Sequence, residues 1–166
     1  MSTRSVIAKP TETGWVGRYV HFDGYPEAMV PEYMRLVHEK GVERCIDILI
    51  NFNAGWSSIE SNPTLADWRN DGRFKTVSNY GVAYTTKIFP NFAGQENYQQ
   101  ASMDDWISND DNDSWCEWAY VLHPDTLDVW EATEEGWKHH STVAYNADTY
   151  TDSEGNRVPL PTSILV

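Results

Sequence analysis

The stretch TRSVIAKPTETGWVGRYVHFDGYP, residues 3–26, predicts how the fold begins. Residues 3–9 and 15–22 carry the β-branched and aromatic residues typical of strands, and the turn-forming residues 10–14 separate them. The sequence Asp-Gly-Tyr-Pro, residues 23–26, then breaks the second strand. We therefore predict an N-terminal β-hairpin that ends in a tight bend.

Short helical and strand patterns follow this hairpin. One helix is predicted over residues 31–40, and residues 43–51 fit either a strand or a second helix. The remaining predicted strands cover 74–77, 82–89, 115–122, 126–131 and 137–145, with polar loops over 51–62 and 91–114 and a helical turn over 64–68.

These elements predict the α+β fold class, because no repeat or linker divides them. We expect a single domain over residues 1–147, built on a mainly antiparallel sheet. An N-terminal hairpin and one or two helices between residues 27 and 51 belong to it. Residues 148–166 are expected to form an irregular C-terminal tail.

The charge of the chain is distributed unevenly. The 166 residues include 25 acidic and 12 basic ones, which gives a net charge of −13. Residues 101–166 contain fourteen of the acidic residues and only two basic ones, Lys138 and Arg157. A concentrated negative field repels nucleic acid and attracts basic partners, so we predict no direct nucleic-acid binding. Imitation of nucleic acid by the carboxylates is an alternative.

The composition also indicates a folded protein of the cytoplasm. Eight Trp, nine Tyr and five Phe supply large side chains for a core. No stretch approaches the roughly 20 apolar residues that span a bilayer, and the N-terminus lacks a signal-peptide pattern. Cys45 and Cys116 are too few for a disulfide framework and are expected to be buried thiols.

A series of motifs occurs in a fixed order along the chain: TRS at 3–5, GRYVHFDGYP at 17–26, GWSSI at 55–59, DGRF at 71–74, GVAYT at 81–85 and EWAYVL at 117–122. The series resembles a family of small proteins from actinobacteria and their bacteriophages, which share a Tyr-x-His-Trp-Asp-Gly-Tyr-Pro segment after an N-terminal strand. Phe22 stands where the family usually has Trp. The resemblance covers residues 3–130 and implies a phage or actinobacterial source, and it brings no established activity.

Tyr19, His21 and Asp23 are the catalytic candidates. Alternate residues of a strand share a face, so the three side chains are expected to project together. A carboxylate beside an imidazole raises its basicity, as a general base requires. The trio would suit a small hydrolase or a small-molecule-binding protein. The structural alternative is that Asp23 begins the turn and His21 packs beneath it.

An acidic segment rich in Trp supplies the candidate binding residues. They are Asp110, Asp111, Asp113, Glu117, Trp106, Trp115, Trp118 and Tyr25. Aromatic rings surrounded by carboxylates suit a basic protein partner, because the rings anchor it and the charges speed encounter. The spacing of a calcium loop is missing. Buried Trp residues and a solvated acidic loop are the alternative interpretation.

We therefore predict an interaction protein that is linked to phages, rather than an enzyme. It would bind a basic host protein in the host cytoplasm, and whether binding inhibits that protein is left open. No cofactor motif is present, and the scattered His-x-Asp pairs do not match a metal-site pattern, so we expect no cofactor and no metal. The oligomeric state is left open.

Overall fold

The structure, a computed structural model, describes residues 3–63, 74–84, 106–110 and 115–161. Its strands are β1 (Ser5–Pro10), β2 (Trp15–Val20), β3 (Gly55–Ile59), β4 (Phe74–Val77), β5 (Gly81–Tyr84), β6 (Ile107–Ser108), β7 (Trp118–Leu122), β8 (Thr126–Thr133), β9 (Gly136–Ala144), β10 (Thr149–Thr151) and β11 (Arg157–Pro159). Two α-helices, α1 (Pro26–Lys40) and α2 (Val42–Ile46), are followed by a π-helical turn, Asp47–Asn51. The predicted α+β fold is confirmed.

The N-terminal hairpin lies at the centre of a nine-stranded sheet. β1 and β2 pair antiparallel from Ser5 opposite Val20 to Pro10 opposite Trp15. The strand order is β4-β5-β3-β2-β1-β7-β8-β9, and β6 pairs with β2. Most pairs are antiparallel, but β1 with β7 and β2 with β3 are parallel. The prediction of a mainly antiparallel sheet is therefore correct.

The helices occupy the region in which the sequence predicts one or two of them. α1 begins at Pro26, a residue type suited to the first turn of a helix, and the carbonyl of Tyr25 accepts hydrogen bonds from the amides of Ala28 and Met29. Residues 42–51, which fit a strand or a helix by sequence, are helical. Burial of Leu49 and Ile50 against the sheet explains why their strand propensity does not decide the outcome.

Each face of the sheet carries its own hydrophobic cluster. The helices cover the first face, where Tyr33, Trp56 and Tyr120 are fully or almost fully buried. The second face carries Val6, Ala8, Trp15, Tyr19, Tyr84, Ile107, Cys116, Ala119 and Val121. On this face Trp15 of β2 and Trp137 of β9 meet with ring centroids 5.2 Å apart, although three strands lie between them. The sheet therefore curls towards this face, which we term the concave face.

Two segments have more regular structure than the sequence predicts. Residues 55–59 form β3 rather than part of a polar loop, because they pair in parallel with β2 and bury Trp56. Residues 149–151 and 157–159, within the predicted irregular tail, form an antiparallel pair. Tyr150 and Leu160 of this tail are buried in the core beneath the helices. Both pairings depend on burial that local sequence patterns do not record.

Candidate functional site

The best-assembled polar group lies where the concave face meets one end of the sheet. The hydroxyl of Tyr19 is 2.6 Å from Nδ1 of His21. The register that pairs Ser5 with Val20 places Arg4 opposite His21 at the next position, on the same face as Tyr19. On the other side of Arg4, its carbonyl accepts a hydrogen bond from the amide of Glu117. Glu117, Arg4 and His21 thus lie side by side one residue beyond the ends of β7, β1 and β2, and we term them the polar row.

The environment of His21 favours a neutral imidazole. Partial burial lowers its pKa below the ordinary value of 6.5, and the positive charge of Arg4 lowers it further. In the tautomer whose Nδ1 accepts a hydrogen bond from the Tyr19 hydroxyl, a neutral ring carries its proton on Nε2. Nε2 has no hydrogen-bond partner in the described residues. His21 can therefore donate a hydrogen bond from Nε2.

Asp23 does not complete the predicted trio. β2 ends at Val20, and Asp23 lies in the bend with a φ angle of 58°. Its side chain is exposed, and no hydrogen bond or ion pair joins it to His21. The strand alternation that would align the three residues thus stops before Asp23. Only Tyr19 and His21 are brought together.

Acidic residues gather at the same end of the sheet. Glu117 hydrogen-bonds through its carbonyl to the amide of Ala132, close to the turn between β8 and β9. We define the acidic end as Trp115, Glu117, Glu131, Glu134 and Glu135. Two cations adjoin the acidic end. Lys138 is opposite Glu131, and the guanidinium carbon of Arg4 lies 6.0 Å from the centroid of the Trp115 ring.

Trp115 is the aromatic residue of the acidic end, and it is largely exposed. Its side chain is 61% exposed, and its φ angle is 62°. A positive φ is unusual for a bulky residue and costs roughly 1–3 kcal/mol, so the surrounding structure must enforce it. The chain therefore holds an aromatic ring at the surface at an energetic cost.

The other predicted binding residues have different surroundings. Tyr25, 39% exposed, lies in the bend next to Gly24, whose amide bonds to Thr3 beside Arg4. Trp106 is 43% exposed and stacks on Arg18, with the guanidinium carbon 3.3 Å from the ring centroid.

The structure describes two of the four remaining predicted binding residues. Asp110 is exposed and follows β6, away from the acidic end. Trp118 is buried and is therefore not a surface anchor, because β7 lies inside the sheet with hydrophobic clusters on both faces, and Trp118 packs in the cluster under the helices. Asp111 and Asp113 lie outside the described residues.

Sequence reasoning missed Arg4 as a site residue. A signal for it existed, because the predicted hairpin register brings Arg4 opposite His21 once the turn over residues 10–14 is accepted. The role of β7 as the other neighbour of β1 could not be found in this way. That pairing joins residues more than a hundred positions apart.

The rest of the described chain offers weaker candidates. Asp128 lies 3.1 Å from Nε2 of His123 and 3.9 Å from Nε2 of His139. Even so, no three His, Cys, Asp or Glu side chains of the described ranges are placed to hold a metal ion. Both cysteines are buried thiols outside any disulfide, as expected, and burial raises the pKa of Cys45 to about 12.

A cleft of about 570 Å³ lies at the opposite end of β1 from the polar row. Its walls come from the α1–α2 junction, the end of β1 and the β7–β8 turn. The residues that line it are Pro10, Lys40, Gly41, Val42, Glu43, Arg44, Ile46, Leu122 and Pro124. Their charges have mixed signs, so the cleft does not define a ligand class.

Comparisons with known proteins add no relative: no family model, no curated protein and no solved structure matches the chain. Within the described ranges, no helix is both long and apolar enough to cross a membrane.

Proposed function

We propose that the protein is an interaction module that binds a basic segment of another protein at the acidic end. The supporting observation is Trp115, a residue that is 61% exposed on a backbone with positive φ, two positions before Glu117 in the chain. Strained backbone is retained mainly where function requires it. Exposed Trp residues are also frequent energetic centres of protein interfaces.

Charge complementarity specifies the chemistry of the partner. The acidic end contributes four carboxylates against the two cations Arg4 and Lys138. The whole chain carries −13, so the long-range field adds to this local excess. Such a field speeds the approach of a Lys- or Arg-rich segment and weakens with salt. In keeping with the resemblance to actinobacterial and phage proteins, the proposed partner is a host protein of the cytoplasm.

The test is a pull-down from actinobacterial lysate at about 50 mM and 300 mM salt, a range over which surface electrostatics is progressively screened. We expect one basic protein to be captured at low salt and released at high salt. Trp115→Ala should lose it, while Phe52→Ala, which truncates another exposed ring (65%), should retain it.

A charge-matched comparison separates a specific site from general attraction. Glu134→Gln with Glu135→Gln should weaken capture more than Glu39→Gln with Glu43→Gln, which removes the same charge from the helical side. Equal losses from both pairs, or capture that Trp115→Ala does not affect, would contradict the proposal.

The alternative functions receive less support. A hydrolase centred on Tyr19, His21 and Asp23 lacks the carboxylate that would orient the imidazole, because Asp23 makes no contact with His21. Nucleic-acid imitation requires carboxylates spaced over a long surface. Here Arg4 and Lys138 interrupt the acidic end, and further cations follow in β1 and β2.

A further inference from the structure

We propose that Arg4 and His21 form a binding site for the oxyanion of a small aromatic carboxylate. This site does not depend on the proposed protein partner, since it uses the cationic part of the same end of the sheet. It also does not need the Asp23 carboxylate that the catalytic hypothesis required.

The first observation concerns the guanidinium charge of Arg4. No ion pair joins its guanidinium to a carboxylate of the described chain. The guanidinium carbon of Arg4 lies 6.0 Å from the centroid of the Trp115 ring. Glu117 supplies the carboxylate of the polar row, and no salt bridge joins it to Arg4. A partly buried guanidinium with no ion-pair partner among the described residues is available to an incoming anion.

The second step is the donor opposite Arg4. Arg4 and His21 each lie one residue beyond the last register pair of β1 and β2, Ser5 with Val20, so both side chains stand at the same end of the sheet, where one carboxylate would reach both. The Tyr19 hydroxyl lies 2.6 Å from Nδ1 of His21. We take the tautomer in which this hydroxyl donates to Nδ1 and the neutral ring carries its proton on Nε2 as the donor. A guanidinium and an imidazole N–H together match the two oxygens of a carboxylate.

The third step is the aromatic body of the ligand. The rings around the two donors are Phe22, in edge contact with His21 at 4.5 Å, and Trp115, which is largely exposed. Planar apolar groups pack well against such rings. A benzoate-like ligand therefore fits the site better than an aliphatic acid or inorganic phosphate.

The experiment compares benzoate with benzamide, its neutral isostere, by NMR on the full chain. We expect benzoate to shift the resonances of the Arg4 Nε–H, the His21 ring and the Trp115 indole N–H, and to raise the pKa of His21, because it offsets the charge of Arg4. Benzamide should produce neither change. Equal binding of the two compounds, or no shift with benzoate, would overturn the site.

Three variants assign the site to named residues. Arg4→Gln should weaken benzoate binding roughly tenfold or more, the usual scale for a charged hydrogen bond. Arg157→Gln, a matched loss of an exposed arginine in β11, should leave it within about twofold. Glu117→Gln should tighten binding, because it removes a like charge beside the anion.

The same Glu117→Gln variant separates the two proposals. It should weaken capture of a basic protein at the acidic end, since it removes an attractive charge there. If benzoate binding is absent but capture responds to Glu117, only the ligand site fails. If capture is absent but benzoate responds to Arg4 and Glu117 as described, only the protein partner fails.

Discussion

His21 shows how one side chain links the site to stability. Burial and Arg4 lower its pKa in the folded protein below the ordinary value of 6.5. As the pH falls below about 6.5, the unfolded chain takes up the proton first, so the free energy of unfolding decreases. The decrease continues until the pH reaches the lowered pKa of the folded state, and below that pH His21 adds no further loss.

We therefore expect urea denaturation between pH 8 and pH 5 to show a steeper loss of stability in the wild type than in His21→Gln. The other four histidines are common to both proteins, so their contributions cancel. Parallel pH dependences would mean that the neighbourhood of His21 does not disfavour its charged form.

Among individual residues, the sequence predicted some members of the site and not others. Tyr19 and His21 were found because strand alternation is a local rule and both lie at the end of β2. Asp23 was misplaced in the trio because the bend begins before it. Arg4 was missed because its importance comes from its neighbour across β1 and β2. Trp118 was predicted to bind at the surface but is buried, because an aromatic residue in a strand gives no sign of which face is buried.

The bend that follows β2 is the element on which the end of the sheet depends. Gly24 donates its amide to Thr3 and accepts a hydrogen bond from the Tyr120 hydroxyl at 2.6 Å. A Cβ atom at Gly24 would lie 2.7 Å from the Thr3 carbonyl oxygen and from Ser5. The bend thus leaves no space for a side chain at this residue.

Gly24→Val should therefore lower the free energy of unfolding by about 1–3 kcal/mol, the usual cost of an overpacked site. Tyr25→Ala serves as the control, because the Tyr25 ring is 39% exposed and its backbone carbonyl still begins α1. Urea denaturation of the two variants provides the comparison. A Gly24→Val protein as stable as the wild type would show that the bend is less tightly packed than these distances indicate.

Elements that follow local patterns were the ones that the sequence predicted well. The hairpin and the strands β7, β8 and β9 combine periodicity with clear turn residues, whereas α1 begins at Pro26, five residues before its predicted start. By contrast, β3 contains Gly and two Ser residues, and it is a strand because β2 pairs with it in parallel. β10 and β11 are short, and the burial of Tyr150 and Leu160 stabilises them. Interactions between distant segments decide such elements.

For the whole molecule, the uneven charge has a measurable cost. The net charge of −13 comes almost entirely from the last 66 residues, so like charges repel one another within that part of the fold. Raising the salt concentration from about 50 mM to 300 mM should increase the free energy of unfolding, because the added ions screen this repulsion.

A charge-reversal variant checks the origin of that effect. Glu134→Lys with Glu135→Lys changes the net charge from −13 to about −9 in an exposed turn, and should make stability less sensitive to salt. An unchanged salt dependence would locate the repulsion elsewhere in the chain.

The central position of β1 has a consequence for how the chain folds while it is synthesised on the ribosome. One edge of β1 pairs with β2 almost as soon as both are made, whereas the other edge pairs with Trp118–Leu122. More than a hundred residues must be synthesised before that second edge is covered, and an uncovered strand edge can pair with other chains. The nascent chain thus exposes one edge of β1 after β1 has paired with β2, and only synthesis of β7 covers that edge.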